Sequence, residues 1–218
     1  FTPLFAANAD AGPAGAEALL TIINRYFAQM VELVSKAGGD LLEFTGDAML
    51  VQFRHEAYQS DDGGAELLQA IYAGLRMQRA MANFAQLETP QGSVSLQMRL
   101  GIHPGPFVAA DIGTPMRRAH VLLGQAVLAA KQTETAGAVG RVCLSPAGCD
   151  RMQANPRLRL EPNLDGGGLV VDDLSPKALG EYDLTLSRRR GASPVLFDRS
   201  VPGLMQEIET SLNTLEPL

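Results

Sequence analysis

Apolar residues early in the chain follow the period of a helix. Between Gly15 and Ala37 they recur at steps of three and four, which places them on one helix face. These residues are Leu19, Ile23, Phe27, Met30 and Val34. The Gly38-Gly39 pair predicts the end of this helix, because glycine readily takes the left-handed conformation that closes a helix. Residues 63–87 show similar steps ahead of Pro90, so we predict a second helix there.

A tight hairpin is predicted directly after the first helix. Two short apolar runs, Asp40 to Thr45 and Met49 to Phe53, are separated only by Gly46-Asp47-Ala48. Two such runs joined by turn residues are typical of a β-hairpin. Asp47 is therefore expected at its tip.

The stretch from Val94 to Ile102 alternates between apolar residues and polar residues or glycine. A period of two is typical of a strand with one buried face. We expect this strand to end at His103-Pro104-Gly105. Residues 107–112 can return as a further strand in a hairpin-like arrangement, and Gly113-Thr114-Pro115 then predicts a turn.

The second half of the chain predicts one more helix and two short strands. Residues 124–136 have the pattern of a third helix closed by Gly137, and Val142-Cys143-Leu144 has that of a short buried strand. Asp165 to Gly168 is typical of a turn, and residues 169–171 can form a strand.

Up to residue 144, the predicted order is helix, strand, strand, helix, strand, strand, helix, strand. Helices packed on one face of a mostly antiparallel sheet satisfy this order, so we expect an α+β, ferredoxin-like fold. The basic and Gly/Pro-containing stretch 188–194 is typical of a domain edge. We therefore expect the domain to cover residues 1–186 and a linker to cover 187–218, in which Val201 to Leu215 can form a short amphipathic helix.

Composition and charge narrow the function classes. The 218 residues are enough for one domain with a full hydrophobic core. The net charge is -6 and no long Lys/Arg cluster is present, which argues against a nucleic-acid partner. No apolar run approaches the roughly 18 residues of a membrane span, and the sequence does not open with a signal-peptide pattern. We therefore expect a soluble, cytoplasmic domain that makes no membrane contact.

The cysteines and histidines do not have the spacing of a structural metal site. Cys143 and Cys149 do not form a CxxC motif, so we expect two reduced, partly buried thiols. His55, His103 and His120 are scattered and lack the paired spacing of a zinc site. A surface position is the simplest interpretation of His103, at a strand end, and we assign it no catalytic role.

Three stretches together resemble class III adenylate and guanylate cyclases: Gly39 to Phe53, Arg99 to Gly105, and Gly124 to Ser145. Each is weak alone, but their order over roughly 150 residues makes a chance match improbable. The opening Phe1-Thr2 resembles the end of the family's Asp-Ile-x-Gly-Phe-Thr element, so the first metal-binding aspartate is expected to lie ahead of this sequence. The details are similar to the first cyclase domain of tandem, bicarbonate-responsive soluble adenylyl cyclases.

The resemblance implies a class III cyclase fold and a reaction in which the ribose 3′-hydroxyl attacks the α-phosphorus and pyrophosphate leaves. Such enzymes use two divalent ions, Mg²⁺ or Mn²⁺, held by carboxylates. The resemblance assigns Asp47 to a metal-ligand position. The alternative is that Gly46 and Asp47 are present only because these residue types favour a tight turn.

The nucleotide-gripping positions of the family fall on residues that lack the required chemistry. The purine-selecting positions fall on Glu43 and Val121, the ribose-orienting asparagine on Leu128, and the phosphate-binding arginine on Gln132. Leu128 has no hydrogen-bond donor, and neutral Gln132 cannot balance phosphate charge as a guanidinium does. Glu43 resembles the residue of guanylyl cyclases, but in a degenerate pocket it does not decide between ATP and GTP, and it can equally be an exposed carboxylate.

The resemblance also implies a second pocket. Phe44, Thr45 and Gly46 lie beside Asp47 in the sequence and are assigned to the substrate or to this pocket, as is Lys131. In the bicarbonate-responsive relatives a basic residue near this position helps to bind the anion. Lys131 points about 100° away from Gln132 around the helix, so it can equally be a solvated lysine. A small anion such as bicarbonate is therefore a candidate ligand of this pocket, although Glu43 replaces the lysine expected opposite, which argues against the same anion.

Two hypotheses of different classes follow, with a third that is simpler. The leading one is a domain that contributes the metal-binding half of a shared site, pairs with a second cyclase domain, and converts ATP to cyclic AMP. The alternative is a catalytically inactive cyclase-like module for dimerisation or ligand sensing. The third is a fragment of an active homodimer, against which Leu128 and Gln132 argue.

Overall fold

The computed structural model describes residues 12–54, 64–89, 92–114, 116–156, 158–163 and 165–171. Phe1-Thr2, His55 and the predicted linker and helix after residue 186 lie outside these ranges, so the domain boundary stays a prediction. Within them the expected α+β class is confirmed, with helices and antiparallel-rich sheets. No described helix combines the length and apolar character needed to cross a membrane.

Helix α1, Gly12–Lys36, confirms the first predicted helix. Its buried face carries Ile22, Tyr26, Met30 and Val34. The face is therefore turned by about one residue from the predicted one, with Leu19 and Phe27 at its partly buried margin. Gly38 follows with a φ of 82°, which confirms the expected glycine stop.

The predicted hairpin is confirmed. Strand β1, Asp40–Thr45, pairs antiparallel with β2, Ala48–Gln52, and Thr45 lies opposite Ala48. Gly46 and Asp47 therefore form the turn, and Gly46 supplies a positive φ of 64°.

Helix α2, Ala65–Ala80, continues into a 3₁₀ helix, Met81–Phe84, and confirms the second helix. Its two ends pack into different parts of the core. Met77, Met81 and Phe84 join α1, whereas Leu67, Ile71, Tyr72 and Leu75 join a second cluster.

The prediction of one continuous strand from Val94 to Ile102 is wrong in its middle. The structure has β3, Leu87–Thr89, paired with β4, Gly92–Val94, and then β5, Leu100–Ile102. The side chains between β4 and β5 still alternate in burial, but their backbone groups bond elsewhere: Leu96 N–H donates to the Phe84 carbonyl, and the Met98 carbonyl accepts from Gln78. Residues 95–99 are therefore extended without belonging to a sheet.

The strand expected at residues 107–112 is present as β6, Val108–Thr114, but the expected hairpin-like return onto the preceding strand is wrong, and the strand that β6 does pair with was not predicted. Strand β6 pairs along its whole length with β7, Arg117–Leu123. The turn lies one step later than expected, beyond Thr114. Most residues of this hairpin are exposed, so β7 lacks the apolar alternation that marks a half-buried strand.

The remaining elements complete a four-stranded sheet. Helix α3, Gln125–Ala136, ends at Gly137, and strand β8, Val142–Leu144, follows, both as predicted. Helix α4, Pro146–Met152, is capped by Ser145 and was not predicted, nor was β9, Leu160–Pro162. Strand β10, Gly168–Val170, lies within a residue of the expected position. The sheet order is β5-β8-β10-β9, with β5 and β8 parallel.

Candidate active site

Asp47 is exposed at the tip of the β1–β2 hairpin, as the sequence predicts. The tip is a two-residue turn, so strand pairing on both sides fixes where its backbone lies. A carboxylate at this exposed turn is accessible to a group on another domain.

A row of aromatic side chains fastens this hairpin to α1. Phe44 packs edge to face on Phe27, with ring centroids 4.8 Å apart. Phe27 packs on Tyr26 at 5.1 Å, and Tyr26 packs on Phe84 at 5.5 Å. Phe44, at one end of this row, is 50% exposed, so the row of rings runs from solvent into the core. The position of the hairpin is therefore coupled to the main core through ring contacts.

Tyr26 is a candidate positioning residue that the sequence reasoning missed. It is buried, its hydroxyl donates to the sulfur of Met98 at 3.5 Å, and burial together with the charge of Asp47 raises the pKa of its phenol to about 12. The Asp47 carboxylate thus lies within electrostatic reach of a core tyrosine. The available signal was the step of four from Ile22 through Tyr26 to Met30.

The other predicted hairpin residues lie beside Asp47. Thr45 donates a hydrogen bond from its hydroxyl to Oε1 of Glu43 at 3.2 Å, and the Glu43 side chain is half-buried. Phe44 makes the aromatic contact described above, and Gly46 provides the turn conformation. The structure therefore brings together Glu43, Phe44, Thr45, Gly46 and Asp47 as one group.

A second group lies on α3. Leu128 is 50% exposed, and Lys131 and Gln132 are exposed on the same helix. Leu128 and Gln132 are one helical turn apart and share a face. The opposite side of α3 is held to the domain by buried Ala126 and Thr133.

The anchoring of α3 depends on a close approach of β5. A Cβ on Gly101 would lie 2.2 Å from the backbone nitrogen of Glu134, so only glycine fits between strand and helix. This contact fixes the helix that presents Leu128, Lys131 and Gln132.

Val121, the other predicted pocket residue, lies on a third element. It is half-buried on β7, opposite Ala110 of β6. Its neighbour His120 contacts Asp111 across this hairpin, with Nδ1 and Oδ1 2.9 Å apart. The candidate residues are thus divided among the β1–β2 hairpin, β7 and α3. A cleft of about 1150 Å³ lies between β2 and β5, and the described residues that line it include none of these nine candidates.

Asp47 alone does not make a divalent-ion site. In the described ranges, no group of three or more His, Cys, Asp or Glu side chains could hold a metal ion. These residues therefore do not by themselves fit Mg²⁺ or Mn²⁺, which require several oxygen ligands arranged around the ion.

His103 and the two cysteines lie among packing and capping contacts. His103 Nδ1 lies 2.9 Å from Oγ of buried Ser145, which also accepts from the Gly148 N–H at the start of α4. Burial and nearby Arg151 lower the pKa of His103. Cys143 and Cys149 are free, as predicted, and burial raises the pKa of both thiols.

A family model described as "Adenylate and Guanylate cyclase catalytic domain" matches residues 1–163. The fold and this match define a cyclase homology domain, and the chain belongs to the class III adenylate and guanylate cyclase family. The resemblance inferred from the sequence is thereby confirmed.

Known relatives and solved structures agree with this family. "Adenylate cyclase type 10" of Mus musculus is 25% identical over 169 residues, which is 78% of this chain and 10% of that protein. "Adenylate cyclase" of Anabaena cylindrica is 28% identical over 120 residues, 53% of this chain and 22% of that protein. The chain thus spans about a tenth of the mouse relative.

The fold is similar to that of the adenylyl cyclase CyaB from P. aeruginosa, with a TM-score of 0.59 and 24% identity over 72% of this chain and 83% of that one. The guanylyl cyclase Cya2 gives a TM-score of 0.54 and 25% identity over 71% and 79%. Both neighbours support the α+β cyclase fold.

Proposed function

We propose that this domain contributes the metal-binding half of a shared site, in which a second cyclase domain supplies the groups that bind ribose and phosphate, and that the paired site converts ATP to cyclic AMP and pyrophosphate. The observation that carries the proposal is that the metal-binding position has kept its functional group, whereas the ribose- and phosphate-binding positions have lost theirs. A carboxylate is kept at the exposed hairpin tip, whereas the exposed face of α3 has Leu128 and Gln132.

This division of functional groups matches the two needs of nucleotidyl transfer. Triphosphate charge has to be neutralised, and the nucleotide has to be oriented. Asp47 can contribute one oxygen ligand toward an ion, with further ligands from outside the described residues. Leu128 and Gln132 cannot orient ribose or balance phosphate charge, so those functions fall to a partner. Asparagine and arginine at the corresponding positions would supply them.

The test pairs this chain with a complementary cyclase domain. The partner should carry asparagine and arginine at the positions of Leu128 and Gln132, and its own metal-binding aspartates should be replaced by alanine. Neither domain alone should then form cyclic AMP from ATP and Mn²⁺, whereas the mixture should. Asp47→Ala should abolish the product, and Asp150→Ala, an exposed carboxylate on α4, serves as the matched control. Equal activity with Asp47→Ala would refute the proposal.

The second candidate function is a catalytically inactive module that dimerises or binds a small ligand. It is favoured by the lack of a three-ligand metal group among the described residues. Calorimetry with Mg²⁺, Mn²⁺, ATP and bicarbonate separates the two functions. The shared-site proposal requires metal-dependent ATP binding when the partner is present, whereas an inactive module should show none.

We also propose a cytoplasmic location for this domain, where ATP is available as a substrate. Fractionation of cells that express the tagged protein would test it, and recovery outside the cytoplasm would contradict it.

A further inference from the structure

Phe44 and Met49 are the last cross-strand pair before the hairpin turn whose side chains face the core. They lie directly opposite each other, so their side chains share one face of the hairpin. Phe44 contacts Phe27 of α1, and Met49 packs against the main hydrophobic cluster. The next pair, Thr45 and Ala48, is exposed and belongs to the other face, because strand side chains alternate. The support of the turn from the core side therefore depends on Phe44 and Met49.

Of these two contacts, the aromatic one has the more specific geometry. A methionine side chain has three rotatable bonds and adapts to changes in its surroundings. Aromatic rings instead prefer a small set of arrangements, and Phe27 and Phe44 adopt the edge-to-face one, with their planes at 73°. The tilt of the hairpin relative to α1 is therefore controlled more tightly by the aromatic pair.

The Phe27 ring is held in place from the side of the core. It packs edge to face on Tyr26, with the planes at 71°, and Tyr26 is buried and packs in turn on fully buried Phe84. Phe27 also belongs to α1, whose 25 residues bury one face in the main core. It thus contacts a buried ring of the core and an exposed ring of the hairpin at the same time.

A small rotation at this contact matters at Asp47. Asp47 follows Phe44 by three residues, a span of at most about 10 Å along the chain. A rotation of roughly 6° over this distance displaces a group by about 1 Å, and a misplacement of about 1 Å can lower a rate about a hundredfold. Replacing one ring by an aliphatic side chain can therefore affect chemistry at Asp47 far more than it affects folding.

We propose that Phe27 is a positioning residue for Asp47: its ring, acting through Phe44, sets the tilt of the hairpin and with it the place of the Asp47 carboxylate in the shared site. The inference rests on the proposed function, because it assigns Phe27 to the same site. Removal of the ring should weaken the use of the metal ion, whereas the supply of folded chain should change little.

The paired assay for cyclic AMP measures this effect in Phe27→Leu and Phe27→Tyr. At saturating ATP, Phe27→Leu should raise the Mn²⁺ concentration that gives half the maximal rate about tenfold or more, whereas Phe27→Tyr keeps the ring and should stay within about twofold of the original chain. A merely structural role would lower the amount of folded chain, and so the maximal rate, without changing this Mn²⁺ concentration. Ile71→Val, at a fully buried position of the second cluster, is the matched control for lost stability and should leave the Mn²⁺ dependence unchanged.

Nuclear magnetic resonance of the 218-residue chain alone gives a second readout that needs no activity. It follows the order parameters and residual dipolar couplings of the Gly46 and Asp47 amides. In Phe27→Leu the order parameters should fall from about 0.85, the value of rigid backbone, toward about 0.6, or the couplings should change, whereas Phe27→Tyr should match the original chain. If Phe27→Leu does not fold, Phe44→Leu removes the same contact from the half-exposed side.

The outcomes separate this inference from the proposed function. Unchanged amide values in the leucine variant would overturn the inference, as would an unchanged Mn²⁺ dependence in an active pair or an equal rise with Ile71→Val. If the original pair forms no cyclic AMP, the proposed function fails, and the amide values still decide whether Phe27 positions the turn that carries Asp47.

Discussion

Phe27 of α1 and Phe44 of the hairpin meet edge to face, with their ring centroids 4.8 Å apart and their planes at 73°. This contact joins the strand that leads to Asp47 to a helix whose buried face lies in the main core. Phe44 is half exposed, and the contact with Phe27 joins its ring to the helix. The pair therefore affects where Asp47 is presented as well as how stable the domain is.

A double-mutant cycle on this pair measures the coupling. Phe27→Leu and Phe44→Leu each keep apolar volume and remove the edge-to-face geometry. We expect a coupling free energy of about 0.5–1.5 kcal/mol in urea denaturation, the usual range for aromatic pairs. Phe27→Leu combined with Leu20→Ala, an exposed residue of the same helix, should be additive. Additive behaviour of the aromatic pair would show that the contact does not fasten the hairpin.

The electrostatic link between Asp47 and Tyr26 predicts a shift in titration. Burial is the larger cause of the raised phenol pKa of about 12, and the Asp47 charge is the second. Asp47→Asn should therefore lower the pKa of Tyr26 while leaving it above its ordinary value of 10. Ultraviolet titration of tyrosinate, with Tyr26→Phe used to identify the signal among the four tyrosines, checks this. An unchanged pKa would place Asp47 outside the reach of the phenol.

The same residue predicts a loss of stability in alkali. The folded state holds the Tyr26 proton up to a pKa of about 12, whereas the unfolded chain releases it near 10. The folded state thus binds more protons between these values, and stability falls as pH rises from 10 toward 12. The free energy of unfolding should fall by about 2 kcal/mol over this range. Tyr26→Phe should flatten this part of the curve of unfolding free energy against pH, and an equally steep curve in that variant would contradict the assignment.

Close packing at Gly101 predicts a large effect from one methyl group. Gly101→Ala would force β5 and α3 apart, because the added carbon would overlap the Glu134 backbone. We expect a destabilisation of about 3 kcal/mol in urea denaturation. Gly148→Ala is the matched control, because its Cβ would make ordinary contacts, the nearest at 3.4 Å. Similar stability of the two variants would mean that the strand and helix can separate at little cost.

Local patterns predicted the elements that have strong local signals. The hairpin around Gly46-Asp47, helix α3 and strand β8 have turn glycines or apolar runs at their ends, and they were found at or near their observed bounds. Helix α4 was missed, although Ser145-Pro146 has the N-cap and first-turn proline that begin many helices. Its short length gave no helical period to support that signal.

Other features depend on contacts between distant parts of the chain. Strand β7 begins with Arg117 and Arg118 and contains His120, and because it pairs in a largely exposed hairpin it shows no apolar alternation. Residues 95–99 alternate as a strand does, yet their backbone groups do not pair with another strand. The Leu96 N–H bonds to a carbonyl of the 3₁₀ helix, and the Met98 carbonyl accepts from the Gln78 side chain. The raised pKa of Tyr26 depends in part on the charge of Asp47, which lies on another element. A single sequence specifies such relationships only through the folded structure.

The missing chemistry on α3 can be restored as a final test of the proposed division of labour. Leu128 and Gln132 are exposed and one turn apart, so Leu128→Asn with Gln132→Arg should present a donor and a guanidinium on one face without disturbing the core. A bidentate guanidinium recognises phosphate better than a point charge, so ATP affinity measured by calorimetry should rise about tenfold or more over the original chain. Leu128→Asn with Gln132→Lys is the control for charge alone and should gain less. If both variants bind ATP no better than the original chain, the exposed face of α3 does not meet a nucleotide, and Leu128 and Gln132 would no longer support the proposed division of functions between the two domains.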